Sequence, residues 1–488
     1  MKKLYYIFTI VFIFFWGVSC IDLDSELSGV IDPDNFPVTD KDAEALVIGC
    51  YVPFQSNWYN GIFTVNKQGY QVIGDLTTDI GDNNWGDDWQ LAIYQNWTPD
   101  SWIVTFFYEY IRDMNESTMV LNQLEQMNLD EDKKRRSVAE VKCARAFMAY
   151  LLYSWFGPVP VPTVEELQNP QSNIAIPRLS EEEIVEFIEK DLIDAAVDLG
   201  YPSDVEWGRF TKGLSKTLLL KLYMLDQQWD KAEAVGRELL DARYGYTLVP
   251  SYKDIFTFEN QKNNEIIFAS TCDQTISQLW LAHVLPGAYP TNNPNIVKWN
   301  GYRVPWQFYD TFEDNDQRLE VLVGEFRGND GMLYNRNNPG NALGKGAIPM
   351  KYGEDPGAIG EESSIDWIVY RYADVITLLA EAIVRNNNSV TQEAVDLLNQ
   401  IRERAGLSAY SLSRYTNTDI FFNDVLLERG HEFWFEGLRR EDLIRHGKYK
   451  EKAIEKGSVT AQDWFNRMPL PQYVITEGRG QIIQNPNY

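Results

Sequence analysis

Histidine is scarce in this chain, with three (His283, His431, His446) in 488 residues. That argues against a His-rich metal centre or a histidine proton relay. Cysteine is nearly as rare, and four in so long a chain cannot build a disulfide framework. Basic residues are in deficit: 44 Lys+Arg against 71 Asp+Glu, a net charge of −27. So acidic a surface repels phosphate backbones, which excludes a general nucleic-acid binder. It favours solubility and identifies no partner. After the first twenty residues no apolar run is long enough to cross a bilayer. The chain also lacks a phosphate loop, a G-x-S-x-G elbow, an H-E-x-x-H pair and zinc-type Cys/His spacing. Aromatic residues, in contrast, abound: 15 Trp, 27 Tyr and 24 Phe. Much of this must be core, and it excludes a disordered chain. Trp set among Asn, Asp and Gly is harder to explain as core. Length alone gives a soft prior of about three domains.

The first twenty residues read as an address. Lys2 and Lys3 precede an apolar stretch from Leu4 to Trp16, broken by Thr9, then Gly17-Val18-Ser19 and Cys20. This is a secretory signal, too short to span the hydrocarbon core as a mature helix. Its end resembles the lipobox of bacterial lipoproteins, with Gly17 where Leu is usual. The resemblance implies removal of residues 1–19 and lipidation of Cys20, so the mature chain is anchored to a membrane and does not cross it. The acidic stretch Asp22, Asp24 and Glu26 resembles the surface-export signal of Bacteroidetes lipoproteins. With Cys20 acylated, Cys50, Cys143 and Cys272 cannot all pair, and all three are expected as small core hydrophobes.

Periodicity predicts a mainly α chain. Helices are expected over 46–51, 102–127 and 132–156, the last stopped by Gly157-Pro158. Ser180 with Glu183 forms a capping box that opens another. Two stretches read as helix pairs of tetratricopeptide type, 211–225 with 229–242 and 367–386 with 391–405. Further helices are expected at 420–436 and 439–447, before an extended tail from Met468. Residues 66–100 read as long loops with short strands. Residues 245–365 are rich in Gly, Pro and Asn, and such an insertion is usually functional.

Five blocks then resemble the SusD/RagB family of outer-membrane nutrient-binding lipoproteins. They are Ala144–Phe147 through Phe156-Gly157-Pro158-Val159-Pro160; Gly208-Arg209-Phe210-Thr211-Lys212-Gly213; Tyr370–Asp374 through Leu379–Ala382, with Ile401–Gly406; Glu428–Phe433 through Phe435–Leu443; and Pro469-Leu470-Pro471 with Gln484–Tyr488. Asn487 stands where the family most often has Gly before the final Tyr. The resemblance implies a SusD-like fold, with four tetratricopeptide-like helix pairs scaffolding an irregular, loop-rich ligand-binding half. The chain then divides into a signal peptide (1–19), an N-terminal part (20–230) and a C-terminal part (231–488), the latter two forming one globular unit. The resemblance also implies a cell-surface protein that captures oligosaccharides and passes them to a SusC-like TonB-dependent transporter, without cofactor or catalysis. Two other readings compete: a lipoprotein capturing peptide or another nutrient or acting as a protein-binding scaffold, and a surface glycoside hydrolase.

Glu428, Glu432 and Glu436 could suggest acid–base catalysis. The arginines at helical spacing beside them point instead to ion pairs and ionised carboxylates. Asp82–Asp88 hints at a calcium loop, but Gly86 falls one place early for an EF-hand, which leaves only an irregular site open. The expected sugar site lies where two irregular regions, 75–97 and 280–310, converge on a shallow face. Pyranose rings pack their C–H faces on aromatic rings, and their hydroxyls need amide, carboxylate or guanidinium partners. Asn83, Asn84, Trp85, Trp89, Tyr289, Trp299 and Arg303 supply that combination. Trp306, beside Pro305 and Phe308, reads as core.

Overall fold

A computed structural model describes residues 36–57, 61–86, 89–169, 175–273 and 275–488. The signal segment and Cys20 lie outside the described residues, as do Asp87 and Asp88. Among the described residues, eight helices form a row in which each packs on the next: α1 (Ile111–Gln126), α2 (Glu131–Phe156), α3 (Glu181–Asp198), α4 (Lys212–Leu225), α5 (Trp229–Glu238), α6 (Tyr372–Asn387), α7 (Gln392–Arg404) and α8 (Thr418–Phe433). This is the mainly α architecture expected from the sequence.

Local chemistry sets the ends of these helices. Ser180 Oγ accepts from Glu183 N while the Glu183 carboxylate accepts from Ser180 N, the predicted capping box. Such a cap contributes about 1 kcal/mol. Helix α2 stops at Gly157, whose φ of 73° suits a residue without a side chain. A Cβ there would meet the Arg467 guanidinium at 2.9 Å. Small residues let helices cross closely: Gly236 of α5 sits against Leu379 of α6, where a Cβ would come within 3.0 Å.

Several boundaries differ from the sequence reading. Residues 367–371 are not the start of α6 but a strand, β8 (Trp367–Arg371), paired antiparallel with β2 (Ile266–Ser270). A short buried apolar run reads alike as helix or strand, and here its partner a hundred residues upstream decides. The predicted 102–127 helix is two, Trp102–Tyr108 and α1, and the 66–100 region contains helices Tyr70–Leu76 and Gln90–Ile93. The tail contains a short helix, Gln472–Glu477. Cys50 and Cys143 are buried free thiols, and Cys272 is a half-buried one.

The irregular half is organised by a small antiparallel sheet in the order β1 (Asp82–Asn83), β3 (Tyr302–Pro305), β7 (Gly346–Pro349), β4 (Leu322–Val323). A separate hairpin joins β5 (Phe326–Arg327) to β6 (Leu333–Tyr334). The β1–β3 pairing sets Asp82 opposite Arg303 and Asn83 opposite Tyr302, and so brings regions 75–97 and 280–310 together.

Candidate glycan-binding face

Beyond β1 the chain turns, and Trp85 lies against the backbone of Gly301. A Cβ at residue 301 would come within 2.6 Å of the Trp85 ring, so glycine there makes the close approach possible. Trp85 Nε1 donates to Trp299 O at 2.9 Å, and Trp85 N donates to Asn83 Oδ1 at 2.7 Å. Around this indole the rings of Trp89, His283 and Tyr302 lie 5.3–5.7 Å away, and Trp299 meets His283 edge-on at 4.9 Å. Trp85 and Trp299 remain half-buried, so each retains an accessible surface.

A row of amides borders these two rings. Asn84 N donates to Gly301 O, and Asn84 Nδ2 donates to Asn300 O at 3.1 Å. Asn300 Nδ2 donates to Asn341 O at 2.9 Å. Asn300 has φ 61°, a left-handed conformation that Asn tolerates better than most residues. Neither Asn300 nor Asn341 was identified from sequence. The Asn300-Gly301 pair, a turn signal, marks the first. Nothing in the sequence marks Asn341.

Three expected contact residues lie beneath the surface instead. Asn83 and Arg303 are 0% exposed and Trp89 is 7% exposed. Arg303 donates to Ala342 O (2.6 Å), Val284 O (2.8 Å), Tyr302 O (2.5 Å) and Asn300 Oδ1. Its fork is spent on tying three chain segments together, and burial pushes its pKa down to about 9. Trp89 is a supporting ring, edge-on to Tyr302 at 5.4 Å. His283 is likewise buried, and desolvation lowers its pKa to about 4, so it is neutral at pH 7. Tyr289 belongs to a neighbouring ring set: it packs on Phe326 at 5.0 Å, which stacks on Tyr334. Lys298 Nζ, bonded to Tyr289 O at 2.6 Å, links that set to the Trp299 segment. Trp306, expected as core, is half-buried, with the Arg336 guanidinium 4.4 Å over its ring.

Two lysines hold the loop before Trp85. Lys345 Nζ bonds Asp82 Oδ1 (3.0 Å) and Asn83 O (2.5 Å). Lys456 Nζ donates to Leu76 O (2.6 Å), Thr78 O (2.7 Å) and Gly81 O (2.5 Å). Ammonium groups thus occupy the oxygen ligands that the loop directs inward. Among the described residues no group of three or more His, Cys, Asp or Glu side chains could hold a metal ion.

Two sequence patterns match the chain: that of the SusD family over residues 327–488, and one described as starch-binding associating with outer membrane over residues 51–224. Between them they span well over half of the chain.

The chain belongs to the SusD/RagB family.

Its relatives include a SusD-like protein P2 of Formosa agariphila, 25% identical over the whole of both chains. The starch-binding protein SusD of Bacteroides thetaiotaomicron is 21% identical, with 80% of each chain covered. Among solved structures, surface glycan-binding protein A of Bacteroides thetaiotaomicron, in complex with laminarihexaose, superposes with a TM-score of 0.74. It is 19% identical, with 92% of this chain and all of that one covered. Members of the SusD/RagB family are binding proteins associated with the outer membrane. No helix among the described residues is long and apolar enough to cross a membrane.

The family blocks around α8 form a buried ion network. Arg371 pairs with Glu265 (2.7 Å), Glu432 (2.5 Å) and Glu436 (2.7 Å), Lys351 pairs with Glu436 (2.6 Å), and Arg318 pairs with Glu428 (2.7 Å). Burial alone would raise the Glu432 pKa. The Arg404, Arg371 and Arg318 charges outweigh it and hold the carboxyl well below its ordinary range. The network reaches the face through helix α9 (Arg439–Arg445). Arg439 pairs with Asp79 at 2.8 Å, and Gly437 N donates to Asp75 Oδ2 at 2.9 Å, clamping the loop that leads into β1.

Proposed function

We propose that this SusD/RagB protein is a non-catalytic, lipid-anchored protein of the cell surface that binds oligosaccharides and delivers them to a SusC-like TonB-dependent transporter. The observation that carries the reading is the pair Trp85 and Trp299, the first held by its Nε1 and both half-buried, beside the half-buried Asn84 side chain and the exposed Asn341. Flat apolar surface next to amide donors and acceptors is what a pyranose requires. Asn84, Trp85 and Trp299 are the proposed contacts, with Tyr289 at the margin. Asn83, Trp89 and Arg303 support them from beneath. The relatives that bind starch or laminarihexaose support glycan as the ligand class. The ion-paired state of Glu428, Glu432 and Glu436 supports the absence of catalysis, since general acid work needs a carboxyl poised near neutral pH.

Titration of the mature chain against a panel of neutral oligosaccharides, laminarihexaose included, tests this reading by Trp fluorescence and by analysis of the sugar afterwards. Saturable quenching with the sugar recovered uncut is expected. Cleavage products that vanish on replacing one Asp or Glu would overturn the non-catalytic assignment. Co-purification of a TonB-dependent transporter with the membrane-extracted protein tests the delivery step.

A further inference from the structure

The block Gly208–Gly213 takes no part in the face, yet its Gly208, Arg209 and Thr211 line a separate cavity of about 370 Å³. The floor is β2, from Ile266 to Ala269, and the walls are the rings of Trp207, Tyr244 and Tyr246. These walls are fixed. Trp207 Nε1 donates to the buried Asp366 carboxylate at 2.7 Å. Tyr244 and Tyr246 stack at 6.0 Å with an interplanar angle of 11°, and Tyr246 continues onto Tyr372 at 5.9 Å. Gly213 makes this possible, because a Cβ there would stand 1.9 Å from Tyr246 Oη.

The rim carries three exposed polar side chains. Arg209 is spent on Glu44 and Glu140. The side chains of Glu206, Lys262 and Asn264 make no hydrogen bond or salt bridge among the described residues. They offer one carboxylate, one ammonium and one amide, with no net charge, beside the half-buried Trp207 ring, while Tyr246 is covered by Tyr244 and Tyr372. That combination suits neither an anion nor a cation. It suits a neutral ring carrying hydroxyls. The volume lies near the lower end of the ~300–1,000 Å³ range of small-ligand clefts, too small for a long chain. The β2–β8 pair and the ring contacts Trp367–Trp280 (5.6 Å) and Trp280–Tyr302 (5.7 Å) stand between this cavity and the Trp85 face.

We propose that this cavity is a second saccharide site, which takes a mono- or disaccharide or the end of a chain, independently of the Trp85 face. The test uses the full mature chain and saturation-transfer NMR with glucose, galactose, mannose, xylose, maltose, cellobiose and laminaribiose. Three proteins are compared: the unmodified chain, the face variant Trp85→Ala/Trp299→Ala, and the rim variant Glu206→Gln/Asn264→Ala. Both rim residues are exposed, so the rim variant is expected to keep its thermal midpoint. At least one of the sugars should still bind the face variant and lose ~10-fold or more in affinity in the rim variant. Laminarihexaose or another oligosaccharide that binds the face should be unaffected by the rim change. Absence of binding by every sugar in the face variant, or equal binding by rim variant and unmodified chain, would overturn the second site and leave the face untouched.

Discussion

A half-buried tryptophan fixed by its Nε1 has little rotamer freedom left to lose on binding, so Trp85 is pre-organised for the stacking role proposed for it. Trp85→Ala and Trp299→Ala are each expected to weaken oligosaccharide binding by ~10- to 100-fold, about 1–3 kcal/mol, as read by titration after a check of folding. Unchanged affinity in both would place the site elsewhere. Arg303 poses a different question, because its fork holds Ala342, Val284 and Asn300 together under the same face. Arg303→Met leaves those oxygens without donors and should cost about 2–4 kcal/mol of stability, with affinity falling in parallel. A variant that lost affinity at full stability would return Arg303 to the role of ligand contact.

Among the elements, the loop from Leu76 to Gly81 depends heavily on one side chain, since three of its carbonyls share Lys456. Lys456→Met should destabilise the chain by about 1–3 kcal/mol and weaken sugar binding although it removes no ring. An unchanged denaturation midpoint together with unchanged affinity would refute that coupling. Helices α1 to α8 were legible in the sequence because their apolar faces repeat at helical spacing and caps such as Ser180 and Glu183 are local. Strand β8 was not, because Trp367 to Arg371 is short, apolar and defined by a partner far away in the chain. The same contrast runs through the face. Trp85 and Trp299 were identifiable as aromatics in Asn-rich sequence. The inward turn of Arg303 was not, since the side of β3 that faces the core depends on β7 and on the loop carrying Ala342.

At the scale of the molecule, the buried ions set a pH window. Glu381, Glu432, Glu436, Glu441 and Asp442 all have pKa values held below their ordinary range: burial opposes this, and neighbouring cationic groups outweigh it. Their contribution is complete above the unfolded carboxylate range of roughly pH 4–4.5 and is lost as pH falls through their lower folded values. Asp75 acts in the opposite sense. Burial raises its pKa to about 7, so its contribution is complete only below the unfolded range of roughly pH 4 and is lost progressively as pH rises to about 7. Thermal midpoints should therefore drop steeply below about pH 4 and gain nothing further from these ion pairs above about pH 5, and a midpoint constant down to pH 3 would contradict the assigned ion pairs. Glu432→Gln leaves three guanidinium groups short of a counter-charge and should cost about 3–5 kcal/mol at pH 7 by chemical denaturation. Cys20→Ala should release the protein from membranes, since lipidation at that residue is the proposed anchor, and retention on the cell surface would refute it. The β1–β3 pairing has a kinetic corollary. It joins residues 82–83 to residues 302–303 and closes a loop containing α1 to α5. Contacts so distant along the chain form late, after local helices have nucleated. Until Gly301 is in place the Trp85 ring lacks the backbone it lies against, so in a refolding time course sugar binding should lag behind the recovery of helical circular dichroism.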